Sequence, residues 1–351
     1  MHQNYLVIAG FLLILPYLIK YVLRGNLVEL KNFLIVVTVA SILNLLTTDN
    51  GIGGTIIFVG SCGITAFCIN RLKDIQLLIV LLLFYILWFL YSQIIILNIR
   101  VDDIFEPYGL SKNYPGCLLV MLCCFWGFAK YIYFKELPLL LPIVSMIMAY
   151  YLDGRASLIC MVGMVLLCLS YRKKKYIIIS ATLVAVLLYT YWEYIVLFYD
   201  LSSVNSKGME TDRTNIWRSY FDNLDFSSFL FGLETKDLPY LKNYNGNPHN
   251  SFLNFHYRMG SIGVLAIVYY LCKSWKVLFD KKQFVPWVFV LILWIRMFTD
   301  TCLVSAMDFI PLTMIFYPIS MMRETPIIPQ SMPKRINYII YKVKNGLISI
   351  L

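Results

Sequence analysis

The chain has 351 residues, of which 60% are hydrophobic and only 14% charged, and it carries a net charge of +10. Its apolar runs repeatedly approach 20 residues, the length that spans a hydrocarbon core of about 30 Å, and a soluble domain has no use for them. Composition therefore excludes a water-soluble protein and predicts an all-α, polytopic integral membrane protein.

The first apolar run, residues 5–19, follows an uncharged start and has no small-residue cleavage site behind it, so it reads as a retained span and not a signal peptide. Eleven spans are predicted, near 4–20, 32–47, 54–70, 75–98, 114–130, 136–152, 155–171, 176–199, 250–272, 284–299 and 303–321. They divide the chain into transmembrane helices 1–8 (1–199), a large extracytoplasmic loop (200–248), helices 9–11 (249–321) and a tail (322–351). Alternate connections plus the tail hold 20 of the 30 basic residues and 5 of the 20 acidic ones. The positive-inside rule places that set in the cytoplasm, the N-terminus outside and the C-terminus inside. The basic excess is thus a topology signal, and nucleic acid is not expected as a partner. All nine cysteines fall in apolar runs, without metal or disulfide spacing, and read as small buried apolar residues.

Spans one to three are nearly free of ionisable groups and read as scaffold, with the TTDNGIGG segment as an outer turn. The loop at 99–113 carries Asp102, Asp103 and Glu106; two readings stand, a divalent-cation site or, for adjacent acids without a partner cluster, a solvated loop, and no metal or other cofactor is expected. A tight turn at Asp153-Gly154 sets Arg155 at the outer end of span seven. Two readings stand there: an arginine snorkelling and paired with Asp153, or an anion ligand at the rim of a cavity.

Residues 200–247 form the long hydrophilic stretch, and such loops tend to be lids or binding loops. Within it, TDRTNIWRSYFDNL (211–224) predicts an amphipathic helix with Ile216, Trp217, Tyr220, Phe221 and Leu224 on one stripe. Arg213 and Trp217 share a face, and Arg213 and Arg218 can reach a phosphate; the alternative is a surface helix with solvated arginines. The segment NPHNSFLNFHYRMGSIG (247–263) then opens span nine. Asn250 or Ser251 can cap that helix, which sets His249 at its mouth. His256 lies roughly 10 Å deeper on the same face and reads as a hydrogen-bonding group of the bundle. Tyr257 and Arg258 point elsewhere on the helix. In span ten Arg296 lies one turn before Asp300, either as a structural pair or as a substrate contact. The tail reads as a membrane-surface segment without chemistry.

Four of these features together resemble the O-antigen ligase and polymerase (Wzy-like) superfamily of bacterial membrane glycosyltransferases. They are Gly154-Arg155-Ala156-Ser157, the Arg213-to-Trp217 spacing in one large outer loop, the hydrophobic-Gly step Phe229-Leu230-Phe231-Gly232, and His249-Asn250-Ser251-Phe252-Leu253 with Gly260 and Gly263 behind it. The resemblance covers residues 150–272, and the rest by span count only; Gly154 departs from it, standing where serine is more usual. It implies a GT-C-like fold in the bacterial inner membrane and transfer of glycan, without metal, from an undecaprenyl-diphosphate donor to a lipid-linked acceptor, with a chain-length regulator protein and membrane lipids as partners. It implies His249 as the catalytic base. It also implies Arg155, Arg213, Arg218, Trp217, Asn250 and Arg296 as substrate-binding residues, arginine's planar fork suiting phosphate oxygens. A ligase acting on lipid A core or protein shares this chemistry. A flippase would instead place its ionisable groups near mid-membrane in paired, repeat-related spans.

The charge distribution yields a direct test. Reporter fusions after Lys175 and Lys282 should report cytoplasm, and a fusion at Lys236 the outer side. A cytoplasmic signal at Lys236 would place His249 on the wrong side for an extracytoplasmic substrate.

Overall fold

The computed structural model describes residues 15–16, 18–23, 27–48, 52–105, 113–152, 154–172, 212–234, 238, 241, 248–301 and 307–322. Among these, every regular element is helical and no strand occurs. The expected span at 176–199, most of the first span, residues 200–211, most of 235–247 and the tail after 322 lie outside the described residues, as do His2, Asp153 and Glu106.

After a π-helical stretch at Leu18–Leu23, the described helices are α1 (Val28–Thr47), α2 (Gly53–Arg71), α3 (Gln76–Leu90, prolonged by a π-helical stretch to Ile96), α4 (Val101–Phe105), α5 (Asn113–Phe134) and α6 (Leu140–Tyr151). There follow α7 (Arg155–Arg172), α8 (Asp212–Asp222), α9 (Phe226–Phe231), α10 (Ser251–Asp280), α11 (Phe284–Thr299) and α12 (Phe309–Tyr317). Five of the described elements are long and apolar enough to cross a membrane: α1, α2, α3 with its extension, α5 and α10. Helices α6, α7, α11 and α12 are shorter and also apolar. On α3 the side chains of Leu77, Leu78, Leu81, Tyr85 and Trp88 are each more than half exposed. Such an outward apolar row fits hydrocarbon and not water. Seven described cysteines are buried, as expected, but Cys272 is exposed, because it lies on the outward side of α10.

Aromatic rings fill the centre of the bundle. Phe33 of α1 packs against Phe58 of α2 (6.0 Å between centroids), Tyr270 of α10 (5.5 Å) and Phe316 of α12 (5.1 Å). Small residues allow close approach elsewhere: a Cβ on Gly116 of α5 would lie 2.8 Å from the Ser157 hydroxyl of α7. The bundle has two distinguishable ends. At one, Lys273 Nζ pairs with Glu29 Oε1 at 2.6 Å, Lys135 meets Gln283, and the Tyr171 hydroxyl donates to the Lys135 carbonyl. At the other lie the end of α1, α9, the start of α10, the end of α11 and the first residue of α5. The first end holds Lys130, Lys135 and Lys273, three of the basic residues that the sequence reading assigns to the cytoplasm.

Helix α10 is broken at Gly260, where φ is +59° and ψ −171°. A side chain is strained there, and only glycine enters that region at low cost. The break makes a seat for α9: a Cβ on Gly260 would overlap the Leu230 carbonyl oxygen, and one on Gly232 would lie 2.5 Å from the Tyr257 oxygen. Asn44 of α1, 1% exposed, closes the joint. Its Nδ2 donates to the Tyr257 carbonyl at 2.9 Å and to the Phe231 carbonyl at 2.5 Å. A buried carbonyl left without a donor costs about 1–3 kcal/mol, so one side chain holds three segments together.

Gly260→Ala combines backbone strain of about 1–3 kcal/mol with the Leu230 overlap. Thermal unfolding of the detergent-solubilised protein, followed by tryptophan fluorescence, should show a midpoint lowered by several degrees (roughly 2–4 °C per kcal/mol). An unchanged midpoint would mean that α9 does not need the break.

Candidate functional site

The mouth of α10 is assembled from the ends of two helices. Asn250 is its N-cap: the side-chain oxygen accepts from the amides of Phe252 (2.9 Å) and Leu253 (3.2 Å), and the side-chain nitrogen donates to the Phe298 carbonyl (3.1 Å). The Ser251 hydroxyl donates to the Asp300 carbonyl at 2.7 Å. The start of α10 is thereby stapled to the end of α11. Satisfying the first amides of a helix in this way is what a cap does.

His249 precedes this cap with φ +49°, a conformation that histidine visits more readily than most side chains. Its Nδ1 lies 4.0 Å from Asp300 Oδ1, both side chains being little exposed (15% and 11%). The other carboxylate oxygen, Oδ2, accepts from Arg296 at 2.9 Å, and the Thr301 amide donates to Oδ1 at 2.8 Å. Arg296 is 1% exposed and also donates to the Thr299 hydroxyl (3.0 Å) and the Asn113 carbonyl (3.4 Å). The result is a row of imidazole, carboxylate and guanidinium across the α10–α11 junction. A charge this deeply buried must be paired, and Asp300 pairs Arg296 while turning its second oxygen to His249.

Above the junction lies α8. Ile216 and Tyr220 are fully buried in a small second core with Leu238, Leu241 and Tyr257. Trp217, half-buried at its edge, donates its indole N–H to the Pro248 carbonyl at 3.1 Å, so the loop helix fixes the residue directly before His249. Of the predicted apolar stripe, Ile216 and Tyr220 are packed on the protein, whereas Phe221 is 56% exposed. Arg218 is exposed on the far side of α8. Arg213 lies in the first turn of α8 and Arg155 begins α7; their side chains lie outside what is described, but the backbone sets Arg155 at the same end of the bundle as His249 through the Ser157–Gly116 contact. Trp217, Asn250 and Arg296 therefore cluster around His249, whereas Arg218 points away.

His256 is built into the joint between the two cores. Its Nε2 is 2.8 Å from the Phe229 carbonyl, which only accepts, so that nitrogen carries the proton. Nδ1 then accepts from the Tyr220 hydroxyl at 2.6 Å. Burial, and secondarily Tyr257, pushes the Tyr220 phenol up and keeps it a donor. The Ser261 hydroxyl donates to the same Phe229 carbonyl. His256 thus holds α8 and α9 on α10, the bundle role its spacing indicated. Beside α9 a polar hollow of about 450 Å³ is lined by Thr47, Thr48, Asp225, Ser227, Ser228 and Glu234. Asp225 caps α9, and the donors of Ser228 hold its carboxyl below the usual carboxylate range. Among the described residues no three of His, Cys, Asp and Glu are grouped to hold a metal ion.

Comparison of the chain with protein-family models, with curated proteins and with solved structures finds no match. The site therefore has to be read from its own chemistry. Three of its parts escaped sequence reasoning in this role: Asp300 as the neighbour of His249, Tyr220 as the partner of His256, and Asn44 beneath the kink. For Asp300 the signal was present, since an acid at the end of one span and a histidine at the start of the preceding span occupy the same side.

The buried pair can be tested by symmetry of removal. Arg296→Gln leaves Asp300 without its cation and should cost about 3–5 kcal/mol, visible as lower membrane abundance and loss of a monodisperse peak. The double variant Arg296→Leu, Asp300→Leu removes both charges and should recover much of the abundance. Equal damage from both would show that the residues contribute by shape and not by charge.

Proposed function

We propose that the chain is a metal-independent membrane glycosyltransferase that polymerises lipid-linked oligosaccharide repeat units of an O-antigen or capsular polysaccharide. The observation that carries this reading is the position of His249: at the start of a membrane helix, under an amphipathic loop helix, with Asp300 4.0 Å from its Nδ1. A histidine titrates near working pH and can take a proton from an attacking hydroxyl. A carboxylate on the Nδ1 side favours the imidazolium that results. The acceptor hydroxyl gives its proton to His249 as its oxygen bonds to the anomeric carbon of the donor sugar. The bond from that carbon to the diphosphate breaks, and the diphosphate leaves with the electron pair. Arginine neutralises that leaving charge; Arg155 and Arg213 are the assigned ligands, their planar forks matching phosphate oxygens. The hydroxyl- and carboxylate-lined hollow beside α9 suits a glycan, whose hydroxyls need donors and acceptors in equal measure.

The eleven-span topology belongs to this proposal, with the N-terminus outside, the C-terminus inside, and the site at the outer face of a bacterial inner membrane. Undecaprenyl-diphosphate-linked donor and acceptor are its partners, along with membrane lipids and a chain-length regulator. A ligase would use the same groups and differ in its acceptor.

His249→Ala should lower polymer formation by about 10²- to 10⁴-fold, read as the chain-length ladder formed from a lipid-linked repeat unit with membrane abundance matched. Because His249 holds a positive φ, His249→Asn is the stricter variant: asparagine tolerates that backbone yet cannot act as the base. Near-normal ladders from His249→Asn would remove the general-base assignment. The same reaction should survive a chelator; loss with EDTA and rescue by magnesium or manganese would point to Asp102 and Asp103 instead.

A further inference from the structure

Helices α1 and α10 lie side by side along their length. Glu29 pairs with Lys273 at one end, the rings of Phe33 and Tyr270 are 5.5 Å apart further along, and Asn44 bonds the Tyr257 carbonyl at the other end. Each helix turns one apolar row outward: Ile35, Val39, Ile42 and Leu46 on α1, and Ile262, Leu265 and Tyr269 on α10. The spacing of three or four residues is that of one helix face, and exposed rows of this kind call for hydrocarbon around them. Helix α9 is laid across the ends of both rows. Its Phe229 carbonyl accepts from Ser261, the residue before Ile262, and its Phe231 carbonyl accepts from Asn44, two residues before Leu46. The short helix is itself two-faced. Asp225, Ser227 and Ser228 line the polar hollow together with Leu46. Phe226 and Phe229, three apart and so on one face, are 80% and 51% exposed. The 20 residues of α1 rise roughly 30 Å, the thickness of a hydrocarbon layer. The end of α1, on which α9 rests, therefore stands where hydrocarbon gives way to headgroups.

We propose that α9 is a membrane-surface helix that sets Phe226 and Phe229 into the boundary layer of the bilayer and holds the polar hollow at headgroup level. An amphipathic helix lying on a bilayer buries its apolar face about 5–10 Å into that layer and keeps its polar face in water. The partner is lipid because the two phenylalanines continue rows that already face lipid, on the same two helices and at the level where those rows end. Hydrogen bonds to Ser261 and Asn44 fasten the backbone of α9 to the bundle, and the bilayer covers the rings that the bundle leaves bare. The proposal uses the membrane-spanning class of the bundle and is independent of glycosyl transfer.

Depth can be read from spin labels on the full chain in phosphatidylcholine vesicles. Cys272 is exposed, so a Cys272→Ser background carries each label and, labelled by itself, supplies the blank. Labels at Phe226→Cys and Phe229→Cys should collide with oxygen nearly as often as one at Leu265→Cys, on the lipid-facing row. Their collisions with a water-soluble nickel complex should fall far below those at Ser227→Cys, one residue away on the face of the hollow. Phe226→Trp keeps an aromatic ring at the site and serves where a cysteine variant is not monodisperse. Its fluorescence in excess of the parent should be quenched by lipids brominated near the glycerol end of the chain, and not by lipids brominated near the methyl end. Nickel access at both phenylalanine positions equal to that at Ser227→Cys, or excess fluorescence untouched by either lipid, would overturn the proposal. Shielding from oxygen and nickel alike would also overturn it, and would assign the face to a protein partner or a second copy of the chain. None of these measurements reads glycosyl transfer, so the two proposals stand or fall separately.

Discussion

The arrangement of the end of the bundle that holds His249 depends on one break in one helix. A regular α10 would run past the loop helices and offer them a closed cylinder with no free backbone groups. At Gly260 the cylinder opens, the α9 backbone drops onto it, and Asn44 bonds the Tyr257 and Phe231 carbonyls that the opening exposes. Much of the bundle core is held by ring packing and by small residues at helix crossings.

Around the kink, hydrogen bonds do what the hydrophobic effect does not do between helices in lipid. His256 bridges Tyr220 and the Phe229 carbonyl, Trp217 bonds the Pro248 carbonyl, and Asn250 bonds Phe298. Each links α8, α9 or α11 to the start of α10 or to the residues just before it. His249 is consequently held from both sides, by the Pro248 contact before it and by the cap after it. In the proposed reaction this restraint favours a general base, because its orientation is settled before the substrate arrives. Arg296 and Asp300 add a charged floor that cannot rearrange without leaving a buried charge unpaired.

The sequence makes much of this legible for physical reasons. Long apolar runs have one use, so the helical membrane class and the positions of α1, α2, α3, α5 and α10 follow from composition and length. Asn250 as a cap and His256 as a bundle histidine follow from local spacing. Long-range pairings did not. Nothing local says that Asn44 meets Tyr257, 213 positions away, or that Tyr220 meets His256. For the same reason periodicity gives α8 a stripe, and only the partner surface says which edge of it the protein covers.

The small core under α8 has an implication for how the chain is made. Ile216 and Tyr220 belong to the segment synthesised before α10, yet the surface they pack on includes Tyr257 and Leu253, which are synthesised after it. The loop helix precedes its own support by some forty residues of translation, and the seat for α9 does not exist until Gly260 has left the ribosome. The loop segment must therefore wait, unassembled, until the helix that follows it is inserted and bent; assembly of this end of the bundle is then timed by α10 and not by the loop.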